Sequence, residues 1–266
     1  MTTLTVWIDG VGLLGPGLAS WTSARDVLSG AQAHVGSPTV LPPPARLPPA
    51  ERRRAGGAVK LALAIADEAV AQAQADPATL ATVFTSSSGE GQNCHALCET
   101  LALPNPVVSP TRFTNSVHNA AAGCWHIAVA SRASSTSLCA FDGSFGAGLI
   151  EAATLVRLGD APLLLVASDS PYPEPLHSAR PLPDHFGLAL LLSPVATPRS
   201  LAAMTVTLAG TNQAVSRCDD ASLDALRRAI PAACGLPLLV ALARPRAPQR
   251  LVLDYLPTMR LQVDLT

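Results

Sequence analysis

The stretch Ser134–Leu149, SSTSLCAFDGSFGAGL, decides the fold of this chain. Its residues 136–141 predict a short buried strand, and residues 144–158, rich in Gly and Ala, predict a helix. The chain turns tightly between them, at Asp142 and Ser144. A side chain in this turn lies at a helix N-terminus, where unpaired backbone N–H groups and the helix dipole favour a negative charge. Asp142 and Ser144 are therefore the first candidates for a chemical role.

Predicted strands and helices alternate on both sides of this stretch. The alternation predicts an α/β fold, with a mixed five-stranded sheet that helices cover on both faces. The predicted strands are 4–11, 80–86, 136–141, 162–167 and 187–192, and the predicted helices are 19–29, 51–75, 115–131 and 144–158. The first strand is expected to break in a glycine-rich turn at residues 12–17, and residues 86–91 are expected to turn into another short helix.

The pattern weakens beyond residue 195. We expect a small C-terminal α/β extension there, with a helix that begins at a capping aspartate. Its predicted elements are strands at 204–208, 236–242 and 251–256 and a helix at 220–229. The expected organisation is thus a main unit of residues 1–195 and an extension of residues 196–266.

Composition narrows the possible partners. The 266 residues are 48% hydrophobic and 14% charged, with a net charge of -1, so the chain can bury a core and offers no electrostatic footprint for nucleic acid. No uninterrupted apolar run is long enough to span a bilayer, and the first residues lack the pattern of a signal peptide. We expect a cytoplasmic protein whose partners are proteins or small acyl groups.

The six cysteines form no regular disulfide framework and are expected to be small buried hydrophobic residues in a reducing compartment. Cys94, His95 and Cys98 could ligate zinc, but no fourth ligand lies at metal spacing. Neither a metal nor a cofactor is predicted.

The turn at Asp142 allows two interpretations from its residues alone. Asp-Gly-Ser-Phe-Gly resembles a hydrolase nucleophile elbow with Asp142 in place of the first glycine, so Ser144, with His118 as base, would act as an acyltransferase or thioester hydrolase. Asp142 or Ser144 would equally serve as an ordinary helix N-cap.

Three segments resemble the N-terminal half of β-ketoacyl synthases, which have the thiolase-like fold. They are the turn stretch itself, RLGDAPLLLVA at residues 157–167, and IDGVGLLGPG at residues 8–17. In that family the turn carries an acyl-accepting cysteine activated at the helix N-terminus. The resemblance places Asp142 at the nucleophile position, while Cys139 falls three residues early, inside the predicted strand, where burial is expected. A carboxylate is a poor substitute because transthioesterification would require a high-energy anhydride.

The histidines that the family uses for catalysis are missing from the expected region, as is the cysteine. The resemblance implies two histidines from the C-terminal half, which decarboxylate malonyl units and stabilise the resulting charge. None of the six histidines lies beyond residue 195; they are His34, His95, His118, His126, His177 and His185. The chain is therefore expected to be a catalytically silent half of a thiolase-like fold.

The segment at residues 109–123, SPTRFTNSVHNAAAG, resembles the region that meets the partner and lines the acyl tunnel in ketosynthase dimers. It is especially similar to short chain-length factors of aryl polyene and xanthomonadin-type pathways. The resemblance implies a subunit that pairs with a catalytic ketosynthase and shapes its tunnel, with acyl carrier protein as an indirect partner. The implied interface or tunnel positions are Phe113, Thr114, Asn115, His118, Phe141, Asp142 and Phe145.

Two alternatives to that role stay open. Asn115, His118 and Asn119 could be helix caps or part of a buried hydrogen-bond network. The chain could also be an inactive scaffold that binds the acidic acyl carrier protein, although its basic residues, apart from Arg52 to Arg54, are sparse.

Overall fold

One mixed sheet organises the protein. The computed structural model describes residues 3–87, 89–244 and 247–266. The strands in these residues are β1 (Leu4–Leu14), β2 (Ala81–Thr85), β3 (Ser135–Leu138), β4 (Leu163–Asp169), β5 (Phe186–Ser193), β6 (Ala202–Ala209), β7 (Gln249–Leu256) and β8 (Met259–Leu265). These eight strands are ordered β3-β2-β4-β5-β1-β6-β8-β7. Strand β2 runs parallel to β3 and β4, and the other pairs are antiparallel.

Helices cover both faces of this sheet, as predicted for the α/β class. They are α1 (Trp21–Ser29), α2 (Pro49–Arg54), α3 (Gly57–Ala73), α4 (Gly91–Leu101), α5 (Pro110–Thr114), α6 (Ala120–Ala128), α7 (Ser144–Gly159), α8 (Leu176–Ala179), α9 (Ala221–Ala229) and α10 (Leu236–Ala243). Side chains of α3 and α6 pack on one face of the sheet, and those of α1, α7, α9 and α10 pack on the other. None of the described helices is long and apolar enough to cross a membrane.

The first five strands form the predicted sheet, and the later residues continue it. Strand β6 pairs with β1 through Leu4–Ile8, and β8 and β7 follow outward from β6. Residues on both sides of position 195 share one apolar core, because Val206 and Leu253 pack with Ile8 and Leu190. The boundary at residue 195 stays a prediction.

Several predicted boundaries change in the N-terminal part. Strand β1 continues to Leu14 instead of breaking at Gly12, where it pairs with Ala189 of β5. The helix predicted at 51–75 is divided into α2 and α3, because Gly56 has an extended backbone. The helix predicted at 115–131 is shorter, since α6 begins only at Ala120. Residues 86–91 do lead into α4, although Ser88 in that turn lies outside the described residues.

The C-terminal part contains one wrong prediction and one omission. Residues 236–242 form helix α10 and not a strand. Pro237 in its first turn is compatible with a helix, and an apolar run buried all round does not distinguish the two structures. Strand β8 was not predicted, whereas β6, β7 and α9 were.

Asp220 caps α9 as predicted, and its loss has a measurable cost. Its carboxylate accepts hydrogen bonds from the backbone N–H groups of Leu223, Ser222 and His34 at 3.0, 2.8 and 3.2 Å. Asp220→Ala should lower the free energy of unfolding by about 1 kcal/mol at neutral pH. The Leu223 N–H, followed by that of His34, lowers the pKa of Asp220. The stabilisation is therefore present above about pH 3.9 and is lost as pH falls through the lowered folded-state pKa.

Guanidinium unfolding of the wild-type chain and of Asp220→Ala, at pH 7 and below pH 3, measures the difference in their free energies of unfolding. Asp219→Ala is the matched control, because that exposed carboxylate pairs only on the surface with Arg244. Equal losses for the two variants at pH 7 would contradict the capping role.

Candidate functional site

The turn at Asp142 has the predicted strand, turn and helix, but its strand is short and partly exposed. Strand β3 ends at Leu138, a 3-10 turn covers Phe141–Gly143, and α7 begins at Ser144. Because β3 is the edge strand of the sheet, it is not the buried strand that was predicted. Phe141 has a φ of 51°, a left-handed conformation that costs an aromatic residue about 1–3 kcal/mol.

Asp142 does not cap α7. The N-cap position is Gly143, and in the described residues the Asp142 carboxylate pairs instead with the guanidinium of Arg180. The Asp142 side chain is 69% exposed, whereas that of Arg180 is 21% exposed. Asp142 thus ties the turn to the loop that follows α8.

Ser144 is buried and holds the turn closed. Its Oγ accepts a hydrogen bond from the Ala140 N–H at 3.0 Å and donates one to the Phe141 carbonyl oxygen at 2.7 Å. His118, the predicted base, donates from Nε2 to the Ser86 carbonyl oxygen at 3.3 Å instead. The structure therefore does not bring Ser144 and His118 together as a nucleophile and its base.

The start of α7 is covered by β7, which sequence reasoning did not anticipate. A methyl group on Gly143 would overlap the carbonyl oxygen of Tyr255, and one on Gly146 would lie 3.0 Å from the Tyr255 ring. Both glycines are therefore required for the close approach of β7. A carbonyl oxygen packed here disfavours the developing anion that a condensing site must stabilise. The spacing of Gly143 and Gly146 was the available signal.

A groove of about 760 Å³ lies beside the turn, between the Arg180 loop, the end of α9 and the β7–β8 hairpin. Four arginines and two aspartates line it: Arg180, Arg227, Arg228, Arg260, Asp142 and Asp254. These charges are largely paired within the protein. The Arg227 guanidinium contacts Asp224 at 2.7 Å and Asp254 at 3.4 Å, for example. The groove therefore carries less free positive charge than its arginine count indicates.

Two cysteines, Cys139 and Cys234, lie near Asp142. Cys139 is exposed, contrary to the prediction of a buried strand residue, and its thiol donates to the Ser87 carbonyl oxygen at 3.4 Å. Cys234 lines the groove. Burial, with a smaller contribution from the Asp254 carboxylate, raises the pKa of the Cys234 thiol to about 12. Cys234 is therefore protonated at neutral pH and a poor nucleophile.

The expectation that all six cysteines are buried is wrong, because Cys94, Cys98 and Cys139 are exposed. Iodoacetamide at pH 8 should therefore alkylate these three first, and Cys234 at least about tenfold more slowly. Peptide mass spectrometry over time measures the rates. Burial also raises the pKa of Cys218, to about 12, which makes it the internal control for a protected thiol. Labelling of Cys234 as fast as that of Cys139 would indicate a reactive thiolate in the groove.

A buried carboxylate that the sequence did not single out, that of Asp169, links three segments of the protein by hydrogen bonds. Asp169, at the end of β4, accepts from the N–H and Oγ of Ser87 at 2.7 and 2.8 Å and from the Ala232 N–H at 2.8 Å. Burial raises the pKa of Asp169, while these hydrogen bonds oppose the shift. Asp169 thus connects the ends of β2 and β4 to the segment after α9. The available signal was an aspartate that ends an otherwise apolar strand.

The predicted interface residues differ in their exposure to solvent. Phe113 and Phe141 are 64% and 60% exposed, and Thr114, His118 and Asp142 are exposed as well. Phe145 is fully buried in the core, where its ring packs against Gly235, and is not part of this surface. Asn115 ends α5 and is partly buried.

Exposed apolar side chains concentrate in residues 101–141, the part of the chain that contains the edge strand β3. Among the described residues, seven of the fifteen exposed large apolar side chains fall within residues 101–141. We call these seven, together with β3, the edge surface; they are Leu101, Leu103, Val107, Phe113, Val117, Ile127 and Phe141. A shallow groove of about 450 Å³ runs between α6 and β3 and is lined by His118, His126 and Ser135. Exposed apolar side chains and an unpaired strand edge are both features of surfaces that a partner covers.

The protein is an α/β domain whose edge strand leads through a tight turn into a buried helix, which is the arrangement that the resemblance to the thiolase-like fold predicted. A model of the β-ketoacyl synthase N-terminal domain matches residues 21–234, and the chain belongs to that family. The comparison with curated proteins found no match.

Solved structures agree on the fold. A chain of the ketosynthase (ApeO) complex with its chain length factor (ApeC) from Xenorhabdus doucetiae has 24% identity and a TM-score of 0.73, with 98% of this chain and 99% of that chain covered. A chain of the ishigamide ketosynthase/chain length factor has 16% identity, a TM-score of 0.72 and the same coverage. A chain of AntDE:AntF, a type II acyl-carrier protein in complex with its ketosynthase bound to the hexaketide, has 12% identity, a TM-score of 0.76 and again the same coverage.

Proposed function

We propose that this protein is a non-catalytic chain-length-factor subunit, which pairs with a ketosynthase of a type II polyketide pathway of the aryl polyene kind and shapes its acyl tunnel. The observation that carries the proposal is the state of Asp142. The family resemblance implies that it takes the nucleophile's position, and its carboxylate is paired with Arg180. A paired carboxylate cannot accept an acyl group from a thioester without forming an anhydride.

The other groups around the turn support the absence of catalysis. The Ser144 hydroxyl is buried and bridges the turn, and the raised pKa of Cys234 keeps its thiol protonated. Tyr255 places a carbonyl oxygen beside Gly143, where a condensing enzyme needs hydrogen-bond donors. The chain also has no histidine after His185.

The edge surface supports a role as a partner subunit. Strand β3 pairs only with β2 in the described sheet, so its outer backbone groups can pair with a strand of another subunit. The exposed rings of Phe113 and Phe141 offer aromatic anchors of the type found at interface centres. Two of the structural relatives come from complexes between a ketosynthase and a chain length factor.

Reconstitution with a ketosynthase encoded beside this gene tests the proposal. The two chains should co-purify, and malonyl-dependent chain extension should require both, with acyl carrier protein supplied. The isolated chain should show no acyltransferase or thioesterase activity. In the complex, Ser144→Ala should still permit the same chain-extension reaction. Turnover of acyl thioesters by the isolated chain, with loss of that turnover in Ser144→Ala, would establish the hydrolase alternative instead.

Tunnel shaping has its own readout in the same system. Enlarging or reducing an exposed side chain of the edge surface should change the length of the released acyl chain while the ketosynthase keeps its cysteine and histidines. A product distribution that no substitution on this surface alters would leave pairing intact and contradict the tunnel role.

A further inference from the structure

Arg180 contacts three groups around the turn at once. Its guanidinium lies 3.8 Å from the centroid of the Phe141 ring, pairs with the Asp142 carboxylate, and donates a hydrogen bond to the Tyr172 hydroxyl at 2.7 Å. We propose that Arg180 is a positioning residue, which fixes the exposed Phe141 ring as a preformed anchor for the partner subunit. This role rests on the function proposed above and assigns a task to the residue at the nucleophile position.

The Phe141 ring needs support that its own backbone does not supply. Its φ of 51° is unfavourable for an aromatic residue, and its side chain is 60% exposed. The Ser144 hydroxyl donates a hydrogen bond to the Phe141 carbonyl oxygen, but this bond does not fix the orientation of the ring. Arg180 covers one face of the ring by a cation–π contact and leaves the remainder available. An aromatic ring held in its bound orientation loses less conformational entropy when a partner covers it.

Asp142 makes this support compatible with an interface. An unpaired guanidinium would be costly to bury against a partner subunit. The carboxylate of Asp142 neutralises Arg180, and the Asp142 side chain is 69% exposed, whereas that of Arg180 is 21% exposed. The carboxylate at the nucleophile position thus acts as the counter-ion of a structural arginine.

Tyr172 holds the guanidinium from the other side. Its side chain is buried, its hydroxyl accepts from Arg180 Nη1, and its ring centroid lies 5.5 Å from the Arg180 Cζ atom. Stacking on Phe141, pairing with Asp142 and donating to Tyr172 together require the planar, branched guanidinium. A lysine at this position would keep the charge and lose the geometry.

The test compares four variants with the wild-type chain in binding to the ketosynthase subunit. Arg180→Met removes the charge, Arg180→Lys keeps only the charge, and the double variant Asp142→Arg/Arg180→Asp restores an ion pair without an arginine over Phe141. Arg228→Met is the matched control, because Arg228 lines the same groove, is 67% exposed and pairs with Asp224. We expect about tenfold weaker binding for the Met and swapped variants, a smaller loss for Arg180→Lys, and no change for Arg228→Met.

A second measurement reads the ring itself. With only five phenylalanines in the chain, ring-labelled protein permits assignment of Phe141 by NMR. In Arg180→Met the ring is no longer held in one orientation, so the chemical shifts of its resonances should move towards the averaged values of a mobile ring. In Arg228→Met these chemical shifts should not change. In a double-mutant cycle, Arg180→Met and Phe141→Ala should be strongly non-additive, because both remove the same anchor.

The outcomes distinguish this role from the proposed function. Wild-type-like affinity and Phe141 resonances in both Arg180→Met and Arg180→Lys would overturn the positioning role while the chain still binds its partner. Additive losses for Arg180 and Phe141 would overturn it as well. Failure of the wild-type chain to bind the ketosynthase would instead overturn the proposed function, and the anchor role with it.

Discussion

Gly12→Ala is expected to destabilise the protein by about 3 kcal/mol, the upper end for overpacking. Gly12 lies in β1, at the centre of the sheet, directly beneath helix α3. A methyl group there would overlap the carbonyl oxygen of Ile65 and approach the Ile65 carbonyl carbon to 2.7 Å and its Cα to 3.0 Å. All three atoms belong to the helix backbone, so relief requires α3 to move away from β1.

Guanidinium unfolding of the wild-type and variant chains measures the loss. Gly36→Ala is the control, because no atom lies within 4 Å of the position that its new methyl group would take. We expect the control to change the free energy of unfolding by no more than about 0.5 kcal/mol. A loss below about 1 kcal/mol for Gly12→Ala would mean that α3 does not pack against β1 as closely as described.

Phe113→Ala should weaken binding of the ketosynthase subunit about 30-fold, the loss expected for an aromatic hot spot. The Phe113 side chain is 64% exposed on the edge surface, so its removal should leave the stability of the isolated chain nearly unchanged. Isothermal titration calorimetry measures the affinity, and thermal unfolding of the variant checks the fold.

Leu158→Ala is the matched control for this prediction. Leu158 is also a large apolar side chain, 80% exposed, but it lies in the last turn of α7, outside residues 101–141. Its loss should leave the affinity within about twofold of the wild-type value. Equal effects of Phe113→Ala and Leu158→Ala would show that the edge surface is not the binding surface.

Sequence patterns predicted the main elements because local periodicity is strong where helices and strands have one buried face. Helix α7, strands β4 and β5 and the cap of α9 at Asp220 all follow from such patterns. The prediction of a strand at residues 236–242 was wrong for the complementary reason. A fully apolar run has no periodicity, and burial on all sides stabilises it as a helix.

The candidate site was predictable only in part. The position of Asp142 in a turn before a helix follows from the residues of the stretch, and the resemblance supplied its meaning. Its partner Arg180 lies thirty-eight residues away along the chain. Nothing in the local sequence around Arg180 distinguishes a residue that stacks on Phe141 from an ordinary exposed arginine, because the contact depends on how the loop after α8 returns to the turn.

By itself, the sequence determined the α/β class, the strand, turn and helix at residues 134–149, and the presence of a carboxylate, Asp142, in that turn. These properties follow from short-range periodicity and residue chemistry, which adjacent positions encode. Tertiary structure alone decided that β3 is an exposed edge, that Tyr255 covers the start of α7, and that Asp142 pairs with Arg180 and does not cap the helix. Each of these depends on contacts between distant segments, and their free energy arises only when the whole sheet is assembled.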